Sequence, residues 1–530
     1  METNKKAISL IVLTITIIVL SILSTVIILL LNESNVISKS KEAVKTANLN
    51  QIKNLATVLW SEAYMSGTRT QAELERAVLE GLNKQKNIDL GGYVIKVTKE
   101  GVTVEEVTPN NGIEDKEETE EKEEIEYYSS LASAINDVNN DKIGEKADAN
   151  ENNAVVGVFV NENKPYIILI KDTTEAELIS FNKDMDVNLN GYILTLTDEN
   201  GIEITNGNIK IDGSIEGSTI RGENIFKATA GQLIINGGTY ISNSTSYVVA
   251  FNVLSKMTIS DADVQTTSSE RTAVGVRVQN RGNVTISNCK IISNGQTYSV
   301  GIEDYGYNTS FFVAESDIES NAVNGTAYGV RSKSNLEMSN CAVKASANYS
   351  ADYSQVSIGI KLESGLATLN NCHVMGTHSG VSTSGELKVD GGIYEGYGHG
   401  GFYFSGTNTT SYVKNANIRQ CAMPSGFQDL GAACNGAAFY IGGNTGKDNI
   451  KVYMDNCEMY GSAYPIVLRG SSGEKNNTLY ISNSNVKRKN LAVRIDNDTH
   501  KLYIGTGCDF TANDSNRPTA VVQTNEVYVQ

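Results

Sequence analysis

Val284-Thr285-Ile286-Ser287-Asn288-Cys289 decides the fold: apolar, any residue, apolar, polar, then Asn, Asp or Gly, then a small residue. Another apolar residue follows two positions later, here Ile291. The pattern returns as Leu233-Ile234-Ile235-Asn236-Gly237-Gly238, Leu336-Glu337-Met338-Ser339-Asn340-Cys341, Val452-Tyr453-Met454-Asp455-Asn456-Cys457 and Leu479-Tyr480-Ile481-Ser482-Asn483-Ser484. Each copy reads as a short alternating strand that ends in a tight corner. Repetition of one such unit outranks any local motif as a guide to architecture.

The sixth position is the most regular. It is held by Gly207, Gly238, Ala262, Cys289, Ser316, Cys341, Cys372, Gly392, Ala416, Cys457 and Ser484, at intervals of 20 to 41 and usually 24 to 31. Such intervals suit one coil of a β-helix, with successive coils about 4.8 Å apart. A small residue at a fixed corner is what crowded inward stacking requires. A second column has the form small-apolar-variable: Gly275-Val276-Arg277, Gly301-Ile302-Glu303, Gly329-Val330-Arg331, Gly359-Ile360-Lys361, Gly401-Phe402-Tyr403 and Ala438-Phe439-Tyr440. Strand side chains alternate, so the apolar member points inward and the variable member outward.

The expected fold is therefore mainly β: a right-handed parallel β-helix of about 11–12 coils over residues 127–530. Tyr128 to Val138 reads as an amphipathic helix, with Leu131, Ala134, Ile135 and Val138 on one face, suited to plugging the open end of the stack. This region resembles the pectate-lyase-like β-helix superfamily. That fold hosts lyases, glycoside hydrolases, adhesins and phage spikes, so the resemblance implies architecture rather than activity.

The N-terminal part has another character. Ala7 to Leu31 is 25 positions without a charge, rich in Ile, Leu and Val. At about 1.5 Å per residue it crosses a hydrocarbon core of roughly 30 Å. Lys5 and Lys6 precede it, which keeps that end cytoplasmic and places the rest of the chain outside the cell. Lys5-Lys6-Ala7-Ile8-Ser9-Leu10-Ile11-Val12 resembles the leader and mature start of type IV pilin-like proteins of low-GC Gram-positive bacteria. The resemblance implies a processing site at Lys6, Ala7 and Ile8, with prepilin peptidase and the pilus assembly machinery as partners. Ala7 stands where that family usually has glycine, and Val12 stands where its major subunits carry the assembly glutamate. A minor, tip or unassembled pilin-like anchor fits those departures better than a bulk filament subunit, with an uncleaved single-pass anchor as the alternative.

The expected segments are a leader (1–7), a transmembrane helix (8–31), a helical stalk with a small α+β pilin-like head (32–107), an acidic linker (108–126) and the β-helix (127–530). Stalk positions Val44, Leu49, Ile52, Leu55, Val58 and Leu59 approach helical spacing, and Trp60, the only tryptophan, packs there or at an interface. Gln71 to Lys86 reads as a second helix, and Tyr93–Val97 with Val102–Glu105 as a hairpin. Glu114 to Glu126 holds nine acidic residues against two lysines, and so repels itself into an extended spacer. The formal net charge of -17 argues against a nucleic-acid or anionic-membrane partner, because a phosphate-binding face needs net positive potential.

Chemistry is sparse. Cys289, Cys341, Cys372 and Cys457 lie in the small column and read as buried small hydrophobes. Cys421 and Cys434 flank the longest insertion and are candidates for a loop disulfide. There is no Cys-x-x-Cys and the four histidines are scattered, so neither metal nor cofactor is expected. Asp261, Asp263, Asp304, Asp317 and Asp390 are the carboxylates on or beside strands, with solvated surface positions as the simplest account. Gly398-His399-Gly400 resembles the Gly-His-Gly of polygalacturonases, but the Asn-Thr-Asp and Asp-Asp of that family are absent.

The outward column supplies the candidate ligand-facing stripe: Arg277, Arg331, Lys361, Tyr403 and Tyr440, interrupted by Glu303. Ionic pairing between coils accounts for its charges, and aromatic faces there would suit sugar rings. The leading expectation is a non-enzymatic surface adhesin or glycan-binding module on a pilin-like anchor in the cytoplasmic membrane, facing cell-wall or host polysaccharide. A cell-attached polysaccharide lyase or glycoside hydrolase is the alternative, and a minor pilin acting as a structural spacer the third.

Overall fold

The computed structural model describes residues 125–510 with gaps at 144–148, 150–152, 162–163, 200, 307–308, 348–355, 421–436, 443–448, 462–463, 470–475, 489–492 and 496–498. It also describes the strand Val527–Val529 and positions scattered between 52 and 106. The chain divides into two compact units, Met1–Glu120 and Glu121–Gln530.

Within the first unit, Tyr93–Val97 pairs antiparallel with Val102–Glu106, Ile95 opposite Val104. Ile52, Ala56, Leu74, Val78, Leu82, Val97 and Val104 form one apolar cluster, with Leu59 packed against it. Helical backbone is present at described positions from Ile52 to Leu59 and from Leu74 to Leu82. Among the described residues no helix is long and apolar enough to cross a membrane. The expected leader with Lys6, Ala7 and Ile8, the 8–31 segment, Trp60 and residues 107–124 of the linker lie outside the described residues.

The second unit is a parallel β-helix. One coil shows the plan: Thr272–Val278 in a first sheet, Asn283–Ser287 in a second and Lys290–Gly295 in a third. The next coil stacks on it in register, Val276 on Ile302, Ile286 on Val313 and Ile291 on Ile318. Among the described residues the first and third sheets each carry 13 strands. Their neighbours are three strands apart in chain order, as a coiled chain demands. Each inward Val or Ile contributes about 1.5–3 kcal/mol by leaving water, and repetition carries this along the whole stack.

The corner between the second and third sheets explains the repeat. Asn288, Asn340, Asn371, Asn456 and Asn483 sit at φ between 46° and 52°. That left-handed conformation is one asparagine tolerates far better than β-branched residues. Their amides bond from coil to coil: Asn371 Nδ2 donates to Asn340 Oδ1 at 3.0 Å and Asn456 Nδ2 to Asn415 Oδ1 at 2.8 Å. The small residue that follows turns inward, where Cys289, Cys341, Cys372 and Cys457 are all buried.

The glycines of the second column have a steric origin. A Cβ on Gly301 would stand 2.4 Å from Ile318 Cγ2, and one on Gly329 2.3 Å from Val343 Cγ1. The first sheet therefore lies against side chains of the third at this level.

The capping helix runs Leu131–Asn139, with Ser130 as its N-cap, while Tyr128 belongs to the strand Glu126–Tyr128. Leu131, Ala134, Ile135 and Val138 join the same apolar cluster as Val156 and, from the first sheet, Phe181. The buried Glu175 carboxylate accepts from Leu131 N at 2.6 Å, covering a helix-end donor. An antiparallel run, Glu126–Tyr128 against Val156–Asn161 against Lys164–Leu169, precedes the regular coils, and the repeat did not announce it.

Candidate functional site

The outward column of the first sheet forms a continuous ladder: Asn252, Arg277, Glu303, Arg331, Lys361, Ser382, Tyr403, Tyr440, Val467 and Arg494. The five expected stripe residues thus do share one face in register, yet they separate into two different neighbourhoods.

The first neighbourhood is built on Glu303. Arg277 Nε and Nη2 donate to its Oε2 at 2.9 and 2.6 Å, while Tyr298 Oη and Arg331 Nη1 donate to Oε1 at 2.9 and 3.2 Å. Arg331 also meets Glu363 Oε1, through Nε at 2.8 Å and Nη2 at 2.7 Å. Beneath lies a secondary apolar cluster, Val249, Val274 and Val300, against which Tyr298 and Tyr328 pack. Burial, reinforced by Glu303, holds the Tyr298 hydroxyl protonated above its ordinary range. Burial acts to lower the Arg331 guanidinium, but Tyr298 and Glu363 outweigh it, and its pKa is raised.

Above this network stand two exposed rings, Tyr247 and Tyr305. Tyr305 is 53% exposed. Its ring centre is 4.4 Å from Lys333 Nζ, 5.3 Å from Arg277 Cζ and 5.8 Å from Arg331 Cζ. Arg277 also lies 5.0 Å from the Tyr247 ring. Arg277, Arg331 and Lys333 gather here with the carboxylates of Glu303 and Glu363, and the buried Asp304 accepts from Lys333 N, so cations and carboxylates balance. Lys333 is the loosest of the three cations, 4.0 Å from Glu363. Neither tyrosine belongs to the repeat columns; Tyr305 follows the Gly301-Ile302-Glu303 strand by two positions.

The second neighbourhood holds Tyr403 and Tyr440, rings 5.3 Å apart. His399 stacks on Tyr403 at 4.7 Å and meets Tyr440 edge-on at 4.9 Å. Its Nδ1 lies 2.7 Å from Nε2 of His378, whose Nδ1 is 2.9 Å from Ser379 Oγ. Burial lowers both imidazoles, His399 to about 4, so both are neutral near pH 7. Tyr440 points away from the main core but is only 2% exposed, because Ala437, Val467, Tyr403 and Tyr464 pack about it. That corrects the expectation of Tyr440 as a surface contact. Between the neighbourhoods, Lys361 Nζ donates to Ser382 Oγ at 3.0 Å.

The carboxylate candidates are dispersed. Asp304 is buried and accepts from Gly306 N, Ser332 Oγ and Lys333 N at 2.9–3.2 Å. Asp261 accepts from Asn288 at 2.6 Å and Asp390 from Asn415 at 2.6 Å, both as corner-ladder members. Asp261 and Asp263 alone come together, lining a shallow depression of about 460 Å³ beside Asn288. Asp317 is exposed at the start of a third-sheet strand. Among the described residues no group of three His, Cys, Asp or Glu side chains could hold a metal ion. Cys421 and Cys434 lie outside the described residues.

A third feature sits on the second sheet. Tyr412, Tyr453, Tyr480 and Tyr503 occupy one outward column, with Tyr528 next in register. Their ring centres are 5.2, 4.5 and 4.7 Å apart and their planes within 14° of parallel.

No family model and no curated protein matches this chain. Among solved structures it is similar to the crystal structure of pectate lyase Pel9A, at 14% identity over 68% of this chain and 69% of that one, with a TM-score of 0.23. A likeness so slight carries no argument about activity. The class of protein, a parallel β-helix, rests on the strand register alone.

Proposed function

We propose that this chain is a cell-surface protein, held by a pilin-like membrane anchor, whose β-helix binds an acidic polysaccharide rather than cleaving one. The observation that carries the reading is Tyr305, an exposed ring with Lys333, Arg277 and Arg331 within 4.4–5.8 Å of its centre. A sugar ring stacks on an aromatic face, and a uronate carboxylate beside it would meet the Lys333 ammonium, 4.4 Å from the ring centre and only loosely paired with Glu363 at 4.0 Å. Glu303 and Glu363 fix the guanidinium groups, so little order would be lost on binding. The same pairing argues against Arg277 or Arg331 as a proton-abstracting base, since each is charged and engaged.

The uncharged 8–31 segment supports the anchor, and the acidic run after Glu114 supports a spacer that holds the β-helix away from the membrane. The test is retention of the unit Glu121–Gln530 on immobilised polygalacturonate, alginate and neutral dextran, with soluble products measured in parallel. Retention on the uronans, weakened at least tenfold by Tyr305→Ala and by raised salt, is expected. Cleavage would establish a surface lyase or hydrolase instead. Absence of both would favour the structural spacer.

A further inference from the structure

Cys341 and Cys372 are the only thiols that follow one another in the small column; the other cysteines there have Gly, Ala or Ser as neighbours. They occupy the same corner of successive coils. The residues after them pair directly, Ala342 with His373 and Val343 with Val374, and His373 N donates to Cys341 O at 2.8 Å. Coils stack about 4.8 Å apart, within the roughly 4.4–6.8 Å between Cα atoms that a disulfide spans. Both residues are buried, 2% and 0% exposed. They also sense one another. A hydrogen bond with Cys372 holds the Cys341 thiol below its ordinary range, while the same bond and burial push Cys372 up.

We propose that Cys341 and Cys372, free thiols in this structure, are the site of an inter-coil disulfide that staples the stack at mid-length. The oxidant is a small disulfide such as oxidised glutathione. Cys341 thiolate attacks one glutathione sulfur, forming a mixed disulfide and releasing one glutathione thiolate. Cys372 thiolate then attacks the Cys341 sulfur, the protein disulfide forms, and the second glutathione leaves. Two protein thiols and one oxidised glutathione become one protein disulfide and two reduced glutathiones, which take the two protons. The exchange belongs to the moment when the corner opens or before the coils close over it.

The location has a mechanical sense. The coil from Cys341 to Cys372 spans 31 positions, at the long end of the usual 24 to 31, and the bond would close it at its base. Constraining a loop of that length removes states from the unfolded chain. A force pulling on a displayed domain would meet a covalent link across one of the longer coils.

The full chain in detergent micelles is incubated with oxidised glutathione in urea below its unfolding midpoint, alkylated in strong denaturant without reductant, digested and weighed. The expected result is one cross-linked peptide pair containing Cys341 and Cys372, lighter by two hydrogens than the two thiol peptides. The oxidised chain should also show a higher urea midpoint that reductant reverses. In Cys341→Ser the pair disappears, Cys372 carries the alkyl group, and reductant no longer moves the midpoint. Recovery of both cysteines alkylated in the wild-type chain would overturn the proposal, as would pairing of either with another cysteine. The wild-type mass decides the matter even where a variant fails to fold.

Discussion

Glu303 receives Arg277 through two nitrogens on one carboxylate oxygen, at 2.9 and 2.6 Å, while its other oxygen serves Tyr298 and Arg331. Its side chain is 1% exposed, and it joins three consecutive coils. Removing one member of a buried ion group leaves the others charged and desolvated, at a cost of about 3–5 kcal/mol. Glu303→Ala should therefore lower the urea midpoint sharply. Replacing Arg277, Glu303 and Arg331 together by apolar residues of similar volume should restore much of it. Equal losses in the single and triple variants would show that the network itself, not the stranded charge, supplies stability.

Acid should weaken the fold through the histidine pair. The folded His399 pKa is lowered from 6.5 to about 4, and that of His378 is lowered too. Between those values the unfolded chain binds more protons than the folded one, so stability rises with pH across the window. It is complete above about pH 6.5 and falls as pH drops toward 4. Melting temperature measured from pH 4 to pH 7 should show this slope in the wild type. The slope should flatten in a His378→Leu, His399→Phe double variant that keeps a ring against Tyr403.

The coils were legible in the sequence because three of their constraints act on single positions. The left-handed corner selects Asn288 and its counterparts, the inward corner selects Cys289 and its counterparts, and the close approach of two sheets selects Gly301 and Gly329. The functional surface was less legible, because outward positions are free to vary. The Arg277–Glu303–Arg331 alternation did signal pairing. Tyr305 lies after its strand, outside any column, and its surroundings depend on the long side chains of three coils. The tyrosine ladder could have been found: Tyr453 and Tyr480 sit at the unconstrained second position of the repeat, between Val452 and Met454 and between Leu479 and Ile481. That position faces outward and the coil leaves it unconstrained, so the repeat itself does not select tyrosine there. The partner of His399 is His378, 21 positions away and outside both repeat columns, and Tyr440 is covered by Ala437 and Tyr464 from outside the column as well as by its ladder neighbours Tyr403 and Val467.

Gly329→Ala tests the close approach of the first and third sheets. Its new Cβ would stand 2.3 Å from Val343 Cγ1 and 2.6 Å from Gly359 O, and the second of these is backbone held in a ladder. Overpacking of this kind costs about 1–3 kcal/mol. Gly505→Ala is the control, since its nearest contacts are 3.4 Å away, ordinary van der Waals distance. A clear drop in melting temperature for the first and little change for the second is the expected result.

The tyrosine ladder makes the last prediction. Tyr453 and Tyr480 stack at 4.5 Å with planes 4° apart, and Tyr480 and Tyr503 at 4.7 Å with planes 10° apart. With their faces occupied by one another, these rings offer little to a sugar face and much to the coil stack. An aromatic pair of this kind contributes about 0.5–1.5 kcal/mol beyond the area it buries. A double-mutant cycle on Tyr453→Ala and Tyr480→Ala should therefore give a coupling energy in that range. Tyr453→Phe should be close to neutral, because stacking does not need the hydroxyl. Loss of polysaccharide retention in the Phe variant, with the fold intact, would move the ladder from scaffold to binding surface and displace the Tyr305 patch as the main contact.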